Sequence, residues 1–173
     1  TRMWQPGFLP GRYAGVALRA QGDPVLYVRN PPGVERSARR DMLDALNQLN
    51  QQNHARYGDP EIQTRIAQYE MAFRMQTSVP DLISLKDESA ATFEAYGPQS
   101  RVPGSFAANC LLARRMAESG VRFIQLYHRG WDHHGGVKGG IEQAARETDR
   151  ATWALISDLK ERAMLDDTLI LWG

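Results

Sequence analysis

Two short apolar runs, VRFIQLY at 121–127 and TLILW at 168–172, bracket a long stretch of helical periodicity. No other feature of the chain constrains its fold as tightly. Between the runs, IEQAARETDRATWALISDLKERAML sets Ile141, Ala145, Thr148, Thr152, Leu155, Ile156 and Leu159 on or near one helical face. Short, largely apolar runs suit strands buried on both faces. The LDD triplet turns the chain before the second run. Strand, helix and strand in this order predict a βαβ unit with parallel strands and a right-handed crossover. The class expected is therefore α/β.

The chain ahead of this unit reads as mostly helical. Trp4 to Gly33 is rich in Gly and Pro, with GVALRA and PVLYVRN as candidate short strands and NPPG as a closing turn. From Ser37, a plausible N-cap, to about His54, a stripe of Met42, Leu43, Ala45, Leu46 and Leu49 predicts a helix. His54, near its end, suits the helix dipole and a surface role. GDPE restarts a helix, with Asp59 as cap, Pro60 in the first helical position and Glu61 in the first turn. Ile62, Ile66, Tyr69 and Phe73 recur along it, with Met71 and Met75 beside them, a pattern of core packing. It is expected to stop before Val79-Pro80. Short helical pieces and loop follow. A helix from about Ser105 to Ser119 then carries Phe106, Cys110, Leu111 and Met116 inward and ends at Gly120. The stretch from about 37 to 119 thus reads as a largely helical insert before the βαβ unit. No internal repeat or low-complexity tract stands out.

Composition narrows the function classes. The chain has 173 residues, 42% hydrophobic and 24% charged, as expected for one globular domain or part of a larger one. Its net charge is +1 and no basic block stands out, which argues against nucleic acid or an anionic membrane as partner. No apolar run approaches the ~18–20 residues needed to span a bilayer, and no signal-peptide pattern is present. The chain begins at Thr1 and stops at Gly173 on the end of an apolar run. It is expected to be one partial domain, 1–173, of a larger protein. Cys110 is the only cysteine, so an internal disulfide and a Cys-based zinc site are both excluded.

The chemistry concentrates in YHRGWDHHGG, residues 127–136. The loop follows the first apolar run, and ligands of open α/β sheets bind at the carboxyl ends of strands. Asp132 and His134 offer a carboxylate oxygen and an imidazole nitrogen, donors that zinc and other divalent metals accept. Gly130, Gly135 and Gly136 let the backbone bend around them. Trp131 could wall one side against water. His133 is adjacent to His134 and is expected to point away from it, so one of the two ligates and the other faces solvent or substrate. His128 is a candidate hydrogen-bond donor behind the metal ligands or simply a hydrogen-bonded histidine closing the strand. The alternative for the whole loop is an Asp–His hydrogen bond that stabilises a turn. A catalytic zinc normally takes three protein ligands plus water, so further ligands must come from elsewhere.

GSFAANCLLARRMAESGVRFIQLYHRGWDHHGG and TDRATWALISDLKERAMLDDTLILWG closely resemble the DUF1501 family of bacterial proteins. The resemblance extends to GFLPGRYAGVALRAQGDPVLYVRNPPGV and GDPEIQTRIAQYEMAFRMQTSVPDL, nearly the whole chain. Its GWDxH signature is matched by Gly130, Trp131, Asp132 and His134, with His133 at the variable position. The resemblance places the chain with the alkaline phosphatase and sulfatase superfamily. It implies a doubly wound α/β core, a metal-supported site using Asp132 and His134, and a phosphate or sulfate ester substrate, either a small molecule or a polysaccharide. The metal, whether zinc, calcium or another divalent ion, would activate the nucleophile and neutralise charge on the transferred group. Export to the periplasm or beyond is implied as well. The chain departs from the pattern in two ways. It stops at Gly173, the first glycine of the family's GEFGR segment, and none of its Ser, Thr or Cys residues matches a superfamily nucleophile motif. The alternative function is a non-catalytic member of the same scaffold, with the helices from Ser37 to His54 and from Pro60 to Gln76 docking a carbohydrate or a protein.

Overall fold

The computed structural model describes residues 13–19, 24–25 and 29–173. Five α-helices are described: α1 (Arg36–Tyr57), α2 (Pro60–Ile83), α3 (Ala90–Tyr96), α4 (Phe106–Glu118) and α5 (Val137–Glu161). Short 3-10 turns lie at Pro98–Arg101 and Leu165–Asp167. The chain forms two compact units, Thr1–Asp81 and Leu82–Gly173.

No strand forms among the described residues, which overturns the expected α/β class, the doubly wound sheet and the βαβ unit. Residues 121–127 and 168–172 carry no strand assignment, and neither pairs with the other or with a third segment among the described residues. Apolar content can favour an extended backbone, but ladder hydrogen bonds need a second backbone alongside. The first run still alternates. Ile124, Leu126 and His128 are partly buried, whereas Gln125 and Tyr127 between them are exposed and Phe123 ahead of them is 89% exposed. Leu126 packs against the core of the second unit. Leu169 and Leu171, at 83% and 84% exposed, face solvent. One side of the first run is thus laid on helices, with no sheet around it. At the other end of the chain, residues 15–19 of the expected GVALRA strand are not in a strand, and Arg19 N–H reaches the Pro24 carbonyl at 2.8 Å. Leu26 to Val28 of the expected PVLYVRN strand, with Trp4, lie outside the described residues.

In the first unit, α1 begins one residue before Ser37. Its N-cap is Glu35, which makes no side-chain cap bond, so Ser37 is a helical residue and not the cap. Gly58 ends α1 in the left-handed region (φ 67°), its N–H bonded to the His54 carbonyl. Asp59 Oδ1 accepts the Glu61 N–H at 2.9 Å and so caps α2 as expected. α2 runs past Val79-Pro80 to Ile83, beyond its expected end. Pro80 has no N–H to donate and its ring crowds the preceding turn, but only three helical residues follow it. The α1 stripe is only thinly covered. Leu43 is buried, whereas Met42 and Leu49 are more than half exposed. Polar contacts carry much of the pairing. Arg40 bonds Glu70 at 2.7 Å and Asn47 bonds the same carboxylate at 2.8 Å. The guanidinium groups of Arg36 and Arg40 both lie 4.9 Å from the Phe73 ring centre.

The second unit is built on α4 and α5. Ser105 caps α4 by accepting the Ala108 N–H at 3.0 Å. At its other end Gly120 turns left-handed (φ 80°), and Val121 N–H returns to the Met116 carbonyl. Cys110 and Leu111 are buried as expected. On α5 the buried residues are Ala144, Thr148, Ala151, Ala154 and Leu159, a stripe at helical spacing, while Ile141 is 48% exposed. Ala107 and Cys110 on α4 meet Ala151 and Ala154 on α5 in one cluster with Tyr96 and Leu111. Small side chains there allow close helix approach, and full burial of Leu111 contributes roughly 1.5–3 kcal/mol.

Candidate functional site

α5 starts four residues earlier than the sequence suggests, at Val137, so that Gly139 and Gly140 belong to its first turns and not to the loop. Its N-cap is Gly136 in the left-handed region (φ 61°). The loop ahead of it bends at Gly130 (φ 87°), where a β-branched or bulky residue would be strained. Between these two bends lie Trp131, Asp132, His133, His134 and Gly135.

Asp132 Oδ2 and His134 Nε2 are 3.3 Å apart. Their side chains are 86% and 89% exposed, among the most open in the second unit. His133, between them, is partly buried. Its ring lies against the α5 backbone at Gly140, and its Nε2 is buried without a hydrogen-bond partner. The neighbouring histidines therefore occupy different surroundings. Among the described residues no group of three or more His, Cys, Asp or Glu is arranged to hold a metal ion. His133 does not complete a triplet with Asp132 and His134.

His128 is drawn to a different partner. Its Nε2 lies 2.9 Å from Glu147 Oε2 on α5, and its side chain is 13% exposed. The ring meets Phe106 edge-on at 5.5 Å and Trp131 at 5.8 Å. Its Nδ1 is buried without a partner. Glu147 also accepts from Gln143 at 2.6 Å, and these two bonds, Gln143 first and His128 second, hold its carboxyl below the usual range. Glu147 was not visible as a site residue in the sequence. The available signal was its place on α5, next to the buried Ala144 and Thr148. Trp131 is 44% exposed and packs on His128, leaving Asp132 and His134 open to water.

The donor chemistry fits a divalent ion in part. Metal bonds of about 2.0–2.1 Å in a tetrahedral centre put neighbouring donor atoms about 3.3–3.4 Å apart. The 3.3 Å between Asp132 Oδ2 and His134 Nε2 matches one such edge. A carboxylate oxygen and an imidazole nitrogen are both accepted by zinc and other first-row metals. Two donors make one edge, and at least one further ligand is needed.

Neither Cys110 nor Ser105 is placed as a nucleophile for the pair. Cys110 is 1% exposed, and burial pushes its thiol up to about 12, so it holds little thiolate at neutral pH. Ser105 is committed to the helix start, donating to the Gln99 carbonyl at 2.6 Å while capping α4. His54 contacts the Asp59 carbonyl at 3.1 Å at the end of α1. No described helix is long and apolar enough to cross a membrane.

No curated protein and no solved structure matches the chain. One family model does, over residues 1–173, and it is described as a protein of unknown function. With its whole length covered by that match, the chain belongs to the DUF1501 family.

Proposed function

We propose that Asp132 and His134 are two ligands of a divalent metal in a hydrolase of the alkaline phosphatase and sulfatase type, acting on phosphate or sulfate esters of small molecules or polysaccharides outside the cytoplasm. The supporting observation is the exposed pair itself, 3.3 Å apart between two glycine bends. A polar contact this open to water is worth about 0–1 kcal/mol, too little to account for the arrangement through stability. A bound divalent ion would lower the nucleophile's pKa and neutralise charge on the transferred group. Asp132 supplies negative charge on the open side of the loop. His134 supplies a nitrogen lone pair from Nε2 when neutral. Gly130 and Gly136 bend the loop on either side of the pair, and both side chains face outward.

The test is zinc titration of the full-length protein by calorimetry, with turnover of aryl phosphate and aryl sulfate esters measured alongside. Asp132→Ala combined with His134→Ala is expected to remove zinc binding and metal-dependent turnover together. Zinc binding unchanged in that variant would rule out these ligands. Zinc binding that is lost without any turnover in the parent protein would favour the non-catalytic binding role.

A further inference from the structure

The glycine at 140 is unusual for its position. It lies inside α5, where glycine is less favourable than alanine. Gly139 beside it has open space around it, with nothing within 4 Å of the place its Cβ would take. At Gly140 that place is already filled. A Cβ there would lie 2.5 Å from His133 Cε1 and 2.8 Å from Cγ, with Nδ1 closer still. The imidazole therefore lies directly on the helix backbone, in room that exists only because residue 140 has no side chain.

Exposure along the loop adds a second observation. Asp132 and His134 are open, and His133 between them is partly buried. Alternation of this kind puts residues i and i+2 on one side of the chain and i+1 on the other. Seating His133 on α5 turns its two neighbours toward solvent. The site's direction is thus decided by a contact on its reverse side.

From this geometry we infer that His133 is a positioning residue: its ring seats on Gly140 and so fixes the outward aim of the Asp132–His134 pair. The inference rests on the metal-ligand reading above for its functional meaning. His133 is then not a ligand, and Gly140 belongs to the site although it touches neither Asp132 nor His134 through a side chain.

The experiment uses the full-length protein and zinc alone. Calorimetry gives zinc affinity, and imidazole NMR of His134 gives loop geometry in the absence of metal. Far-UV circular dichroism checks that α5 is kept. His133→Ala, Gly140→Ala and their combination are compared, with Gly139→Ala as the control. Each of the first two is expected to weaken zinc binding about tenfold, the usual scale for residues that orient ligands. Each should also move the His134 resonances. The combined variant should be no weaker than the worse single one, since the three atoms nearest an alanine Cβ at 140 all belong to the ring. Gly139→Ala should leave both readouts in place. Zinc affinity unchanged in Gly140→Ala, while Asp132→Ala with His134→Ala abolishes binding, would overturn the inference and leave the metal reading intact. Losses that add in the combined variant would overturn it too. If the parent protein binds no zinc, the metal reading fails and NMR decides the positioning role. His134 resonances that move in Gly140→Ala, without adding in the combined variant, then uphold it. Resonances that stay fixed refute it.

Discussion

Two charged clusters of the second unit differ in almost every physical respect. On α4, Arg114 is 3% exposed and touches three carboxylates. It bonds Glu88 and Glu118, and its Nε lies 3.2 Å from Asp158 Oδ2 without hydrogen-bond geometry. Arg115 adds a second bond to Glu88, Arg162 ties Glu118 to Asp158, and the Tyr96 hydroxyl donates to Asp158 at 3.1 Å. The Asp132–His134 pair has one contact and is open to water. The first cluster is held by its neighbours, and its breakage is felt by the fold. The second owes little to stability, which leaves its side chains free to bind. A buried network is fixed by its many partners, whereas an exposed pair is fixed by few.

The sharpest way to break this contrast is at Arg114. Arg114→Met leaves Glu88 and Asp158 short of a cation in a buried setting, and a loss of about 3–5 kcal/mol is expected in urea unfolding. A loss under about 1 kcal/mol would show that the network is as dispensable as a surface pair.

Acid is the next lever. Burial raises the Glu88 carboxyl, but the bonds from Arg115 and Arg114 outweigh it and hold the group below its usual value. A carboxyl with a lowered folded pKa contributes stability that is full above its unfolded value, about 4.3, and is lost as pH falls through the folded one. Unfolding midpoints should therefore drop on acidification below about pH 4. Glu88→Gln should flatten that part of the profile, and a profile unchanged by it would remove Glu88 from the account.

A smaller effect separates the two glycines of α5. Gly139→Ala should raise stability by up to about 1 kcal/mol, since the site is open and alanine favours the helix. The same change at Gly140 should gain less or lose, because the ring of His133 must move first. Thermal melts of the two variants give the comparison directly, and equal gains would mean that the ring yields without cost.

The smallest stability change is expected at the exposed pair. Asp132→Ala with His134→Ala should shift the unfolding free energy by no more than about 0.5 kcal/mol. A larger loss would turn the loop into a structural turn held by an Asp–His contact.

Local chemistry was legible wherever one side chain acts on its own backbone. Asp59 capping α2, Ser105 capping α4 and Gly120 after α4 could each be read from residue type and place. The helical periods of α1, α2, α4 and α5 were legible for the same reason, as was the position of the histidine-rich loop. Some local readings nevertheless failed. Ser37 lost the cap to Glu35, and α2 absorbed Pro80. The apolar stripe of α1 left Met42 and Leu49 in solvent.

The amino-acid order by itself located α1, α2, α4 and α5, though not the end of α2 or the start of α5, and the loop that carries the metal-type donors, because caps, periodicity and glycine bends act over a few residues. Only the tertiary structure decided that 121–127 and 168–172 form no sheet, since a strand is made by its neighbour. It also decided that His128 turns to Glu147 and His133 to Gly140, leaving Asp132 and His134 facing out. Those choices depend on which helix lies under the loop, and no spacing within YHRGWDHHGG records that.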